Sequence, residues 1–251
     1  MDVGAHPPDL APGETLQRFY SSLLKQLGYQ GWWPARTRLE VIVGAILTQN
    51  TAWHNAALAL KQLRAAGLLN WAALREASPA ELEKCVRSAG FYRQKARTIR
   101  TFADWLERSH GGSLNALFSH PVPELRNNLL NLNGLGAETV DAIILYAGRK
   151  PSFVADAYTR RILIRHGLLP PSAVYQQAQD FLHQNLPADA AMFNEFHALL
   201  VETGKQFCGR SHPHCAGCPL EGFLPKSGEP CFLQAEEVSP EARVPFEVET
   251  A

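Results

Sequence analysis

The sequence has no surplus of charge. Its 24 lysines and arginines are balanced by 24 aspartates and glutamates, for a formal net charge of zero. A strongly basic footprint, the usual mark of a nucleic-acid binder, is therefore missing. This weighs against DNA binding without excluding it, because backbone N–H groups and local patches can hold phosphate at zero net charge. No apolar run reaches 18 residues, so no membrane span is expected. The first residues, MDVGAHPPDLAPGE, lack the basic and apolar regions of a secretory signal. Strand-like alternation and simple repeats are also missing. Cysteine is scarce, at five residues: Cys85 stands alone and four lie between 208 and 231. That odd, uneven set suggests a metal site in a reducing compartment rather than a disulfide framework, and hence a cytoplasmic protein.

Apolar residues make up 46% of the 251. That is enough for a sizeable core, in a chain long for one core and short for three. Apolar spacing of three and four predicts a helix over 14–27, and then GWWP (31–34) breaks the pattern. Residues 39–47 read as a buried helix and 52–66 as another, ended near Gly67. SPAELEKCVRSAG (78–90) carries a start signal: Ser78 as N-cap, Pro79 at the first position, Glu81 completing a capping box, and Gly90 as the stop. Further helices are expected at 95–108, 123–132, 137–147, 157–166, 173–185 and 192–203. The fold class is all-α, with about ten helices. Residues 1–13 and 236–251 are expected to be disordered.

LNLNGLGAETVDAIILYA (130–147) places a Gly-Leu-Gly hairpin between two helical segments. Such a turn can aim free N–H groups at a phosphate, and glycine allows both the turn and the close approach. The plainer reading is a helix–helix turn with a glycine cap. After the hairpin comes SFVADAYTRRIL, with Asp156 before a new helix, which it would cap. Then follows Cys208-x6-Cys215-x2-Cys218-x12-Cys231. Four thiolates at these spacings can hold a 4Fe–4S cluster or a structural zinc. Cys85 reads as plain core.

Hairpin, aspartate and four-cysteine loop, in that order, resemble the endonuclease III-like branch of the helix-hairpin-helix DNA glycosylases. GAILTQNT (44–51), SAGFYRQKA (88–96) and FHALLVETGKQFC (196–208) fit it as well, so the resemblance spans about residues 15–233. It implies a two-domain fold: a central helical barrel over 36–150 carrying the hairpin, and a domain over 151–235 holding Asp156 and the cluster. The N-terminal helix, within 14–35, packs on that second domain. The implied partner is double-stranded DNA containing a damaged base, bound by a monomer, with no membrane involved. The implied cofactor is a 4Fe–4S cluster on Cys208, Cys215, Cys218 and Cys231. Its loop would point Arg210, His212, His214 or Lys226 at phosphates. The last cysteine gap is longer than usual in this family.

The resemblance maps the catalytic carboxylate onto Asp156, which would stabilise the cationic sugar as the glycosidic bond breaks. It maps DNA contacts onto Asn133, Gly134, Leu135, Gly136, Glu138 and Thr139. The family's bifunctional members carry a lysine where Glu138 stands, and a carboxylate cannot form an imine. A monofunctional glycosylase is implied, with Glu138 read as an acid that suits a first helical turn. Gln49 matches the family's wedge residue, which fills the gap left by a flipped base. The helix before it holds no acid over 43–48, which argues against an uncharged purine that needs protonation. Trp32, Trp33 and Trp53 supply a π-rich surface suited to a cationic alkylated base. With Lys205 they resemble the 3-methyladenine glycosylase subgroup. Three readings stay open beside it: a glycosylase for oxidised or deaminated pyrimidines, a lyase using a lysine outside the hairpin, and a non-catalytic lesion-binding protein.

Overall fold

The computed structural model describes residues 10–33 and 35–225. Cys231, Lys226, Pro34 and the 236–251 tail lie outside the described residues, as do residues 1–9. Among the described residues there are twelve α-helices and no strand beyond one isolated bridge, between Cys208 and Pro213. They are α1 (Pro12–Leu27), α2 (Arg38–Leu47), α3 (Trp53–Ala65), α4 (Trp71–Glu76), α5 (Pro79–Val86), α6 (Tyr92–His110), α7 (Leu114–Leu117), α8 (Val122–Leu130), α9 (Ala137–Ala142), α10 (Ala157–Arg165), α11 (Tyr175–Asn185) and α12 (Ala190–Gln206). No helix among them is long and apolar enough to cross a membrane.

Local signals account for most boundaries. Ser78 and Glu81 form the reciprocal capping box at the start of α5, which satisfies two backbone groups at once. Gly111, in the left-handed region, ends α6. Helix α1 starts at Pro12 rather than Glu14, because proline suits the first turn. Helix α6 is longer than the 95–108 expected. Helices α4 and α7 were not anticipated, since six and four residues are too few for a periodic pattern to show. The expected helix at 137–147 changes pitch midway: Ile143–Ala147 form a π-helical turn, closed by Gly148 N–H donating to Ile143 O at 3.0 Å.

Helix α2 is the hub. Every residue from Leu39 to Leu47 is buried, and α2 packs on α3, α6, α9 and the π turn. Each fully buried Ile or Leu there contributes about 1.5–3 kcal/mol. Buried Lys95 donates to Leu47 O at 3.0 Å and to Ala89 O at 2.6 Å. It thereby satisfies a carbonyl at the end of α2, immediately before Gln49. Helices α1, α10, α11 and α12 pack on one another, and α12 also meets the π turn.

The hairpin is the turn between α8 and α9. Gly134 has φ +91°, and a Cβ there would lie 2.1 Å from Thr98 Oγ1, so both backbone shape and space require glycine. Gly136 has φ −89° and open space around its would-be Cβ, so its glycine answers to neither demand. The hairpin is anchored from behind by buried Asp141. Arg126 grips that carboxylate through two bonds of 2.9 and 3.1 Å, and Ser152 and Tyr175 hydroxyls donate to it at 2.7 and 2.9 Å. This network ties α8, α9 and α11 to the segment that leads into Asp156. Gly134→Ala should therefore cost at least about 2 kcal/mol in urea unfolding, and Gly136→Ala under about 0.5 kcal/mol. Equal costs at the two positions would refute the asymmetry.

Candidate active site

A cavity of about 340 Å³ opens where α2, α3, α9, α10 and α12 converge. Helical spacing brings its walls together. Glu138, Ala142 and Tyr146 line it from α9 and the π turn, and His197, Val201 and Lys205 from α12, each set four residues apart.

Asp156 sits on its floor with two separate duties. Its backbone is extended and its Oδ1 accepts the Thr159 N–H at 2.8 Å, which caps α10. Its Oδ2 lies 3.6 Å from His197 Nε2, beyond direct hydrogen-bond distance but near enough for a ring N–H dipole to favour the carboxylate. Burial pushes the Asp156 carboxyl up, but His197 and the Thr159 N–H outweigh it and hold the group below the ordinary carboxylate range. The other ring nitrogen of His197 forms a short hydrogen bond with the Tyr146 hydroxyl. Burial, and then the charge of Asp156, raise the Tyr146 phenol well above its usual value. It therefore stays protonated and donates to Nδ1, which leaves Nε2–H facing Asp156. The π turn carries Tyr146, consistent with the habit of such turns to mark functional sites.

Trp32, Trp33 and Trp53 form one wall. Trp33 and Trp53 meet edge to face at 5.1 Å between centroids, and Trp32 lies 5.9 Å from Trp33. Trp33 lies against the bare backbone of α2: a Cβ at Gly44 would come within 3.3 Å of its ring. The indole N–H groups of Trp32 and Trp33 are buried without a partner, which is uncommon for residues that serve only as core. Lys205, exposed at the rim, places Nζ 5.6 Å from the Trp32 ring and 3.8 Å from Glu202. Glu138 is exposed within the concave mouth. Loss of hydration there, and then the negative charge of Asp156, raise its carboxyl, while His197 and Arg160 offset part of the rise.

Gln49 does not stand free. Its amide donates to Gly134 O at 3.0 Å and to Thr139 Oγ1 at 2.9 Å, so wedge action would first release the hairpin. Within the hairpin, Asn133 and Gly136 are exposed, whereas Leu135 and Thr139 are buried. Any phosphate contact from the latter two runs through their backbone. Beside the hairpin, Arg93 and Arg97 of α6 line a second hollow of about 300 Å³ with Asn133 and Gly134. This local basic patch is invisible in a net charge of zero.

Cys208, Cys215 and Cys218 line one small pocket under α10 and α12. Arg165 Nη1 donates to Cys208 Sγ at 3.2 Å, and the Leu220 N–H to Cys218 Sγ at 3.5 Å. Arg165 also holds Gly209 O and Arg210 O, both at 2.7 Å. Among the described residues no three ligand side chains converge tightly enough for a single metal ion. Three thiols line this one hollow, and two of them already accept hydrogen bonds at sulfur. Arg210, His212 and His214 are exposed on this loop.

Tyr146, His197, Tyr158 and the Arg93–Arg97 pair escaped the sequence reading. The four-residue spacing of His197, Val201 and Lys205 was the available signal.

This geometry belongs to a known class. Residues 43–188 match the HhH-GPD superfamily of base excision DNA repair proteins, and the chain belongs to that family. More narrowly, it is an endonuclease III-like DNA glycosylase. It is 39% identical over 211 residues to MJ1434 of Methanocaldococcus jannaschii, whose name assigns it provisionally to the DNA repair glycosylases; the alignment covers 84% of this chain and 96% of that protein. Helicobacter pylori 3-methyladenine DNA glycosylase MagIII, solved with 1,N6-ethenoadenine, superposes with a TM-score of 0.66 at 27% identity, covering 78% and 98% of the two chains. A trapped endonuclease III–DNA covalent intermediate gives a TM-score of 0.73 at 20% identity over 87% and 98%, a likeness of fold.

The Tyr146 hydroxyl is worth about 1 kcal/mol if it sets the imidazole. Tyr146→Phe should then slow single-turnover base release about five-fold at unchanged DNA affinity. Nitrogen-15 histidine spectra should show His197 moving from one tautomer to a mixture. An unaltered spectrum would detach Tyr146 from the site.

Proposed function

We propose that the chain is a monofunctional glycosylase that removes alkylated purines such as 3-methyladenine from duplex DNA, acting as a monomer and leaving an abasic site. The observation that carries this reading is the single cavity that joins one ionised carboxylate, Asp156, to three indoles. A base flipped from the duplex enters that cavity. Alkylation at N3 or N7 makes a purine cationic and a good leaving group. Indole faces repay part of its lost hydration, by about 0.5–2 kcal/mol. Asp156 then faces C1′ as positive charge builds on the sugar, and it orients or activates water. MagIII, solved with the purine adduct 1,N6-ethenoadenine on a related fold, supports the reading.

The hairpin offers Glu138 where a Schiff-base lysine would stand. Lys205 is the lysine that lines the cavity, so the lyase reading rests on it. The DNA would lie across the hairpin and the Arg93–Arg97 patch, with the lesion in the cleft between a barrel of residues 36–150 and a second domain of 151–235.

The same reading includes a 4Fe–4S cluster on Cys208, Cys215, Cys218 and Cys231. Its role is structural: it would fold the loop that Arg165 holds against α10. The donor set is all thiol, which suits iron–sulfur chemistry and does not exclude zinc.

Base-release assays on alkylated, oxidised and deaminated duplexes test the reading. Release of 3-methyladenine is expected, with strand breakage only after alkali and no borohydride-trapped complex. A complex lost in Lys205→Ala would install the lyase alternative. Asp156→Asn should lose at least about 100-fold in rate while still binding DNA. Trp53→Ala should cost about 1 kcal/mol, or about five-fold, more on 3-methyladenine than on a neutral base. Robust release of thymine glycol or uracil, with none of 3-methyladenine, would return the protein to the pyrimidine branch. Purified protein should be yellow-brown with broad absorbance near about 400 nm, lost along with stability in Cys215→Ser. Colourless, zinc-loaded protein would remove the cluster.

A further inference from the structure

Resting on the glycosylase reading, we propose that Glu138 is a second catalytic carboxyl of this cavity, the acid that protonates neutral purines and so extends excision beyond cationic ones. Residues 43–48, just before Gln49, hold no acid, and by themselves they confine the enzyme to bases that leave without protonation. The cavity is not so confined. The first turn of α9 delivers a carboxyl to its mouth, on the face shared with Ala142 and Tyr146. Among the described residues Glu138 has no ion-pair partner, so its carboxyl is not committed to holding the fold together.

Three features suit the role. The first is position: Glu138 and Asp156 line one cavity of about 340 Å³, a volume that admits a single purine. The second is division of labour. The Thr159 N–H and His197 hold Asp156 ionised, whereas hydration loss and the charge of Asp156 favour the protonated form of Glu138. Two carboxyls whose surroundings push them in opposite directions are the usual sign of an acid and a charge stabiliser sharing one reaction. The third is change on binding: Glu138 is still exposed in the open cleft, and an inserted base would displace that water, favouring the neutral acid further.

The step balances without an outside reagent. The Glu138 carboxyl gives its proton to a ring nitrogen of the purine. The C1′–N bond breaks, and its electron pair passes to the base, which leaves neutral. Asp156 stabilises the sugar cation. Water adds to C1′, and its proton returns to the Glu138 carboxylate. A cationic alkylpurine enters this sequence after its first step. The proton of the attacking water then passes to bulk solvent, so this route does not need Glu138.

The groups acting on Glu138 are Asp156, His197 and Arg160, and Lys205, Tyr146 and Tyr158 line the same cavity. Titration of these others alters cationic and neutral substrates alike, so the contrast between substrates isolates Glu138. The experiment measures single-turnover release of 7-methylguanine and of hypoxanthine, by wild type and Glu138→Gln, across pH. Wild type should release both. Its hypoxanthine rate should fall as rising pH deprotonates the acid, while its 7-methylguanine rate holds over that window. Glu138→Gln should lose about 100-fold on hypoxanthine, as for loss of a general acid, and less than about three-fold on 7-methylguanine, with its melting temperature and DNA affinity kept. Glu138→Asp should recover part of the loss. Equal loss on both bases, no loss on hypoxanthine, or a wild type that releases 7-methylguanine alone would each overturn the inference and leave the glycosylase reading standing. Release of neither base by wild type would also overturn the inference, and the alkylpurine reading would then stand or fall on release of 3-methyladenine.

Discussion

A carboxylate that must stay charged inside a cleft is the constraint on which the rest of the site depends. Burial disfavours the charge on Asp156, so the fold surrounds it with compensation. One oxygen caps α10 through the Thr159 N–H at 2.8 Å, and the other faces His197 at 3.6 Å. Each partner in turn needs support. The first requires α10 to begin at Ala157, and the second requires α12 to run alongside with His197 turned inward. Tyr146 then sets the imidazole from the π turn. Three separate stretches of chain meet to keep one negative charge in place.

The hairpin and the cavity are mechanically one unit. Gln49, just past the end of α2, bonds the hairpin at Gly134 O and Thr139 Oγ1. The Arg126–Asp141 pair clamps α8 to α9 and, through Ser152, to the segment that leads to Asp156. Removing one partner of such a buried pair leaves an uncompensated charge, at about 3–5 kcal/mol. The hairpin is thereby held in fixed register with Asp156. The indole wall is fixed from behind in a similar way, because Gly44 lets Trp33 lie flat against α2.

The family and the chemistry pull in complementary directions. Membership of the HhH-GPD superfamily accounts for the hairpin, the aspartate and the helical scaffold. Inside that scaffold this chain carries a carboxyl, Glu138, just after the hairpin and three tryptophans over the cleft. Both features bear on charge: a carboxyl cannot act as an amine nucleophile, and indole faces attract cations.

Much of this was determined by the sequence alone. Helix identity followed from apolar spacing, and the ends of α5, α6 and α10 from Ser78, Gly111 and Asp156, because caps and periodicity are local properties of the chain. The hairpin and the four cysteines could be named from residue type and short spacing, and Asp156 and the indoles from the resemblance that those motifs carry. Cys231 lies beyond the described residues. What only the tertiary structure decided is which residues share a space. His197 and Tyr146 did not stand out in the sequence; their part emerged only where α12 and the π turn met over Asp156. Glu138 read as a helix-dipole acid until α9 was seen to open on the same cavity as Asp156. Gln49 read as a free wedge until the hairpin supplied acceptors for its amide. In each case the deciding partner lies elsewhere in the sequence, 18 to 90 residues off and mostly more than 40. Electrostatic environment is set by neighbours in space, and no local pattern records them.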